Sequence, residues 1–493
     1  MAGALIYLLD MRKTIILLTL ISLFVLLSCG GSSDESNDTP TPPVTITLRS
    51  QSISEGAEVE SANTTILTLS YNTTVKVTGT GITLNGTSVT AKSNSTTSMA
   101  VDIPLALEDG TDYVVKVAKN AIVSTADPTV SAPEFTLNFK TKAKPVSTIA
   151  SSPVIASTNA AKNLYTFFRN QYGQKVISSV MADVAWNNSL AEKVNTLTGK
   201  YPAMNCYDFI HIQVPDGNGW IDYSNTKPVT DWAGAGGIVQ LMWHFNVPKS
   251  ETTTIETNGS GVTCSPNETT FKASNALKDG TWENKYFYGQ MDRVIAVILK
   301  LQDAGIAATW RPFHEAAGNA TAKQQASWTK AWFWWGYDGP ETFKSLWKAM
   351  FDYFKLKGVN NLIWIWTTQN YNGNSSSYNQ DKDWYPGDSY CDMVARDLYG
   401  YTAAQNAQEF KEIQATYPNK MIVLGECGWD SGNKTGKPQG RMSDCWNQDA
   451  KWGHFMVWYD GNAGNSTSTM VSDDWWKDAM SHQNVITRDQ VKY

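Results

Sequence analysis

Cations, histidine and closely spaced cysteines are all scarce in this chain, and each scarcity removes a class of function. Forty Lys plus Arg are outweighed by 46 Asp plus Glu, for a net charge of -6, and charged residues make up only 17% of 493 positions. Binding a phosphate backbone needs a basic face that this balance does not supply, so nucleic acid is excluded as the main partner. None of the six Cys stands in C-x-x-C spacing, which removes the usual structural zinc site. Five follow Cys29, namely Cys206, Cys264, Cys391, Cys427 and Cys445, an odd number that leaves at least one without a partner in the chain. Three short motifs each lack a member. His314-Glu315-Ala316-Ala317 is followed by Gly318 instead of a second His ligand, and the glycine-bracketed run from Gly432 to Lys437 is one residue short of a phosphate loop. Gly234-Ala235-Gly236-Gly237 precedes a candidate strand instead of following one, so it forms no dinucleotide-binding turn.

The apolar run Thr14–Leu27 is too short to span a bilayer. It follows Met11-Arg12-Lys13 and leads into Ser28-Cys29-Gly30, the order of a secretory signal. Leu26-Leu27-Ser28-Cys29 resembles a bacterial lipobox, which implies a lipoprotein signal over residues 1–29, with Met11 a candidate start and Cys29 the lipidated first residue of the mature chain. The expected location is the bacterial outer membrane or cell surface, held by the lipid, with the periplasmic face left open. Residues 30–43 are small, polar or Pro, bury no large apolar group and are expected to form a disordered tether.

Two rhythms divide the rest. Seven short alternating runs lie within residues 44–143: Val44–Arg49, Thr65–Ser70, Val75–Thr78, Ile82–Leu84, Met99–Leu105, Tyr113–Val117 and Phe135–Lys140. They read as an all-β sandwich of immunoglobulin-like type, without Trp, His or Cys and so a spacer more than a site. Over residues 154–493, apolar runs alternate with helical periods, the signal of an α/β unit. Eight candidate strands, Lys175–Met181, Ala203–Asp208, Ile238–Phe245, Ala308–Glu315, Asn361–Thr368, Met393–Tyr399, Met421–Glu426 and Phe455–Tyr459, are the number that closes a (β/α)8 TIM barrel.

In such a barrel the C-terminal strand ends face the active-site mouth. Strand four ends in His314-Glu315 and strand seven in Gly425-Glu426, so two carboxylates are expected across one cleft, the equipment of glycoside hydrolysis. All 20 Trp fall at or after Trp186, a supply of flat faces suited to sugar rings.

The run Arg311-Pro312-Phe313-His314-Glu315, the later Trp332-Phe333-Trp334-Trp335-Gly336, and Gly425-Glu426 together resemble glycoside hydrolase family 26, whose commonest members are β-mannanases. The resemblance covers most of 154–493. It implies a retaining endo-β-1,4-mannanase acting on mannan, glucomannan or galactomannan as a monomer, with Glu315 as acid/base and Glu426 as nucleophile. It further implies His244, His314, Trp332, Asp397, Tyr399 and Trp458 at the substrate, with Tyr399 orienting the nucleophile and Trp458 beneath the sugar. Trp366, the outer member of the Trp364/Trp366 pair on strand five, is a further subsite candidate from period two. Trp334 and Trp335 are adjacent, point different ways and are not assigned to ligand. No metal or organic cofactor is required. Two alternatives stay open: a β-glucanase or β-1,3-xylanase of the same family, and a non-catalytic glycan-binding lipoprotein. The mostly polar or small-residue insert Asn319–Ala331 lengthens the loop beside the expected cleft and leaves the mode of attack open, and Gly217-Asn218-Gly219-Trp220 is a candidate wall on the other side.

Overall fold

The structure, a computed structural model, describes residues 44–493 apart from 62–64, 95–97, 143–147, 156–157, 184–185, 218, 319–330, 370–380, 431–435 and 462–468. The signal with Cys29, the tether and all but the last residue of the Asn319–Ala331 insert therefore lie outside the described residues. The chain divides into two units between residues 145 and 146.

The first unit is all β. Leu48–Gln51, Thr65–Tyr71, Ala100–Leu105 and Lys92–Ser93 form one sheet, in that order; Glu58–Val59, Phe135–Thr141, Asp112–Val117, Ile82–Leu84 and Thr87–Ser88 form another. Alternation builds their shared core: Leu67, Leu69 and Tyr71 of one strand, and Leu137 and Phe139 of another, turn inward onto Val101, Ile103 and Val115. Each such buried side chain contributes about 1.5–3 kcal/mol. The first strand begins four residues later than its apolar run. Four further short strands, Glu58–Val59, Thr87–Ser88, Lys92–Ser93 and Ile122–Ser124, fall outside the seven alternating runs.

The second unit is a closed parallel barrel. Its strands are β1 (Val176–Met181), β2 (Met204–Asp208), β3 (Ile238–Trp243), β4 (Ala308–Pro312), β5 (Leu362–Thr368), β6 (Met393–Tyr399), β7 (Met421–Gly428) and β8 (His454–Val457). Each pairs with the next, and β8 and β2 both pair with β1, which closes the cylinder. The strands are buried on both faces, which is why they read as continuous apolar runs. Alternation still sorts them: Ile177, Met204, Ile238, Ile363, Ile365, Met393, Ala395, Met421 and Val423 share the inner cluster, together with Leu164, Tyr165 and Phe168 of α1 (Asn159–Gln171). Outward side chains meet the helical ring, which includes α2 (Trp282–Asp303) and α3 (Pro340–Leu356); Trp364 lies against Trp347, Phe351 and Phe354 of α3. Among the described residues no helix is long and apolar enough to cross a membrane. The five cysteines after Cys29 are all free thiols.

The strands depart from the apolar runs by one residue at several N-terminal ends and by two or three residues at four C-terminal ends, where β3 stops at Trp243. β4 stops at Pro312, β7 continues to Gly428, and β8 stops at Val457, so Trp458 follows it.

Candidate active site

Regular alternation delivers part of the site. The inward series Met204–Cys206–Asp208 on β2, Ile238–Gln240–Met242–His244 along and just past β3, Thr309–Arg311 on β4 and Met393–Ala395–Asp397–Tyr399 on β6 each end in a polar group at the mouth.

The two glutamates do not follow the alternation. On β7, Arg396 pairs with Leu424 but Asp397 with Glu426, so Gly425 is an extra residue in the ladder, a bulge. Without it Glu426 would share the outward face of Leu424. The bulge also brings Gly425 against its neighbours: a Cβ there would lie 2.6 Å from Asp397 Oδ1 and 3.1 Å from Arg311 Nε. Gly425→Ala is therefore expected to lower kcat by about a hundredfold through displacement of these groups, which steady-state kinetics with a circular dichroism control checks. Past β4 a different device operates. Phe313 and Glu315 both adopt left-handed backbone, φ 47° and 50°, conformations that cost about 1–3 kcal/mol in a non-glycine residue. Phe313 turns outward among Phe245, Phe287 and Trp334, while consecutive His314 and Glu315 both reach the mouth, which no regular strand permits.

Arg311 organises the charges. Its guanidinium, fully buried, donates through Nη1 to Glu426 Oε1 at 2.7 Å, through Nε to Thr367 Oγ1 at 2.9 Å, and through Nη2 to Asp397. Tyr399 OH donates to the other Glu426 oxygen at 2.6 Å. One carboxylate oxygen from each of Glu315, Asp397 and Glu426 lies within 4.8 Å of the others. That proximity fits the roughly 5 Å between the carboxyl groups of retaining glycosidases better than the roughly 6.5–9.5 Å of inverting ones. Burial, reinforced by the Glu426 charge and partly offset by Arg311, raises Glu315 to a pKa of about 7. Burial also drives Asp397 well above the ordinary range despite Arg311, with the charges of Glu426 and Glu315 adding to it.

The two histidines differ. Asp208 accepts from the His244 backbone N–H at 2.9 Å and pairs with its ring Nδ1 at 2.5 Å. Burial opposes the imidazolium, yet the Asp208 charge and hydrogen bond outweigh it and raise the His244 pKa. His314, edge-on to His244 at 4.4 Å, is held neutral far below its usual pKa by burial, then by His244 and Arg311. Its Nε2 lies 4.0 Å from Glu426 Oε1.

The aromatic candidates separate. Trp332 is 37% exposed, and the neighbouring Phe333 ring lies 5.0 Å from His314. Trp458 is 8% exposed and meets His244 edge-on at 5.7 Å. Trp220 is exposed on the loop after β2 and rests against His211. Trp334 and Trp335 are both buried, their indoles bonded to main-chain carbonyls. Trp366 is a correction: it is 1% exposed and points away from the lumen into the outer ring, against Tyr385 and Tyr417. Period two did put Trp364 and Trp366 on one face, but that face is the helix side, since Ile363, Ile365 and Thr367 occupy the lumen. Sequence reasoning missed three groups. Arg311 was quoted in a motif without a role, although a cation on an inward position of β4 had to meet the carboxylates; Asp208 and Thr367 were not singled out, although both sit at inward strand ends.

Among the described residues, Glu315, Asp397 and Glu426 also form the cluster whose donor atoms converge closely enough for a cation. Arg311 already supplies a positive charge to two of the three, which makes the set an ion-pair network around a guanidinium.

A (β/α)8 barrel with closely paired glutamates past β4 and on β7 has the architecture and spacing of a retaining glycoside hydrolase. Residues 155–490 match the model of glycosyl hydrolase family 26, and the chain belongs to that family. It is 28% identical over 336 residues to a mannan endo-1,4-β-mannosidase of Thermothelomyces thermophilus, a match covering 67% of this chain and 60% of the relative. It is 27% identical over 352 residues to mannan endo-1,4-β-mannosidase A of Piromyces sp., covering 67% and 49%. The chain thus spans between about half and three-fifths of the length of these curated relatives. Among solved structures it is similar to the family 26 domain of an endo-β-mannanase/endo-β-glucanase from Prevotella bryantii, at 56% identity and TM-score 0.65, covering 70% of this chain and 100% of that one. A β-mannanase from a symbiotic protist of the termite Reticulitermes speratus, complexed with gluco-manno-oligosaccharide, aligns at 31% identity and TM-score 0.54, covering 70% and 98%.

Proposed function

We propose that this chain is an endo-β-1,4-mannanase that hydrolyses mannan, glucomannan or galactomannan by double displacement. The observation that carries the reading is the convergence of the Glu315 and Glu426 oxygens within 4.8 Å. The mannanase names of the curated relatives support the choice of sugar. Glu426, oriented by Arg311 on one oxygen and by Tyr399 on the other, attacks the anomeric carbon. Glu315 gives its proton to the departing glycosidic oxygen, then takes one from water, which releases the sugar with its configuration retained. His244 and His314 line the floor beside the nucleophile, Trp458 lies beneath the cleaved sugar, and Trp332 offers an exposed face on the leaving side.

The test is a reducing-sugar assay with product chromatography on mannan, galactomannan, β-1,4-glucan and β-1,3-xylan. Release from mannans is expected; products from β-glucan or β-1,3-xylan alone would reassign the sugar, and no products from any would leave a glycan-binding protein. Because the acid must be protonated, kcat/KM on mannan is expected to fall as pH rises through about 7, the Glu315 value. Glu315→Ala should cost about a thousandfold on mannan and about tenfold on an aryl glycoside whose leaving group needs no proton, which paired kcat/KM measurements compare.

The Cys29 lipid, the 30–43 tether and the all-β unit, read as an immunoglobulin-like spacer, would hold the enzyme at the outer membrane. The lipobox-like run supports this. Palmitate labelling of the expressed chain, lost in Cys29→Ala, is the expected result.

A further inference from the structure

Three consecutive residues, Trp334, Trp335 and Gly336, each engage the main chain at the end of β3 or just past β4. Trp334 Nε1 donates to the Phe245 carbonyl at 2.6 Å, directly after His244. Trp335 Nε1 donates to the His314 carbonyl at 2.9 Å, between the two left-handed residues Phe313 and Glu315. Gly336 approaches the Ala316 carbonyl so closely that a Cβ there would lie 1.6 Å from its oxygen. Trp334 is itself tied down, its backbone N–H donating to Cys264 O at 2.8 Å, and Trp335 stacks on Phe333 at 4.3 Å.

Hydrophobic filling alone does not account for this pattern. Trp243, Trp310, Trp364 and Trp366 are as deeply buried, yet their indole N–H groups find no acceptor among the described residues. Buried indoles in this barrel therefore do not all need one. The two that follow Phe333 direct theirs at carbonyls flanking the histidine pair, and the glycine after them omits a Cβ that would collide with the Ala316 carbonyl and push the Glu315 turn away. A turn with two left-handed non-glycine residues persists only where its surroundings over-determine it. The second support comes from β5: Gly318 N–H donates to Gln369 Oε1 at 2.9 Å as well as to Glu315 O at 3.0 Å.

We infer that Trp334-Trp335-Gly336 is a main-chain clamp whose task is to position the Glu315 carboxyl for proton donation, Trp335 through the His314 carbonyl being its central member. These are positioning residues and touch no substrate. The inference rests on the mannanase reading above and deepens it. Without the clamp, the turn relaxes toward an ordinary conformation, the carboxyl swings off the line to the glycosidic oxygen, and protonation of the leaving group suffers while attack by Glu426 does not.

Trp335→Phe tests this, since it keeps a ring against Phe333 and deletes the N–H. On mannan, kcat is expected to fall about tenfold or more with KM within about twofold, because a misplacement of about 1 Å at the reacting group has that scale of effect. On a dinitrophenyl β-mannobioside, whose phenolate departs without a proton, the loss in kcat/KM, which reads glycosylation and not the later water step, should shrink to less than about threefold, against about tenfold or more in kcat/KM on mannan. A merely structural role would lower both activities by one factor, through the fraction folded. Equal losses on the two substrates, or an unchanged kcat on mannan, overturn the proposal. Should the phenylalanine variant fail to accumulate as folded protein, 3-benzothienylalanine at position 335 preserves the shape and removes only the donor, and is judged by the same comparison. Wild-type protein inactive on both substrates would count against the mannanase reading; active wild type with a variant indifferent to the leaving group counts against the clamp alone.

Discussion

Glu426→Ala is expected to lower kcat on mannan by roughly ten-thousand-fold or more, the scale of losing a covalent nucleophile. No neighbour can substitute. Asp397 is near enough, but one of its oxygens is committed to Arg311 and burial drives its pKa well above the ordinary range, which disfavours the nucleophilic anion. KM should change little, because sugars bound away from the cleavage point never touch Glu426. The stereochemistry of rescue adds a sharper readout. Azide, small enough for the vacated space, should attack once from the nucleophile side and give the α-mannosyl azide. In Glu315→Ala the same reagent should intercept the glycosyl-enzyme and give the β-azide. Nuclear magnetic resonance of the two products assigns the roles: reversed anomers would exchange the two glutamates, and residual activity of Glu426→Ala above about one percent would remove it from the nucleophile role.

The barrel was legible because parallel strands buried on both faces leave long apolar runs, and all eight appear within a few residues of those runs. What the pattern could not show is where regularity is broken. Alternation carried past Arg311 would turn His314 outward, and carried past Val423 would put Gly425, not Glu426, in the lumen. The left-handed residues Phe313 and Glu315 and the Gly425 bulge correct both, and neither has a periodic signal. Strand-end position pointed to the two glutamates and family resemblance gave them roles, while the backbone devices that turn them into the mouth became visible only in the structure. Trp366 failed for a related reason: a period of two identifies a shared face and leaves unsaid which face is the lumen. The neighbours Thr367 and Ile365 decide that, and Thr367 was not weighed. Arg311 was hidden differently, since its meaning lies in partners 86 and 115 residues away.

Arg311→Met should produce the largest loss of stability. The methionine matches much of the arginine stem, so packing is roughly kept, while Asp397 and Glu426 lose the guanidinium that pairs with both. Removing one partner of a buried ion pair costs about 3–5 kcal/mol, because the remaining charge cannot be solvated. For a barrel of this size that is a fall of about 4–7 °C in Tm. The loss should depend on pH in a definite direction. Without the guanidinium, the carboxyls of Glu315 and Asp397, already raised by burial, are pushed higher, and the folded state binds protons that the unfolded chain has released. Stability then declines as pH rises through the folded-state values, so the deficit against wild type should be small at pH 5 and larger at pH 8. Adding Asp397→Asn removes one of the stranded charges and should recover part of the Tm, a coupling that a double-mutant cycle reads directly. A variant as stable as wild type at both pH values, or a cycle in which the two substitutions simply add, would mean that the acids are neutralised by something other than Arg311.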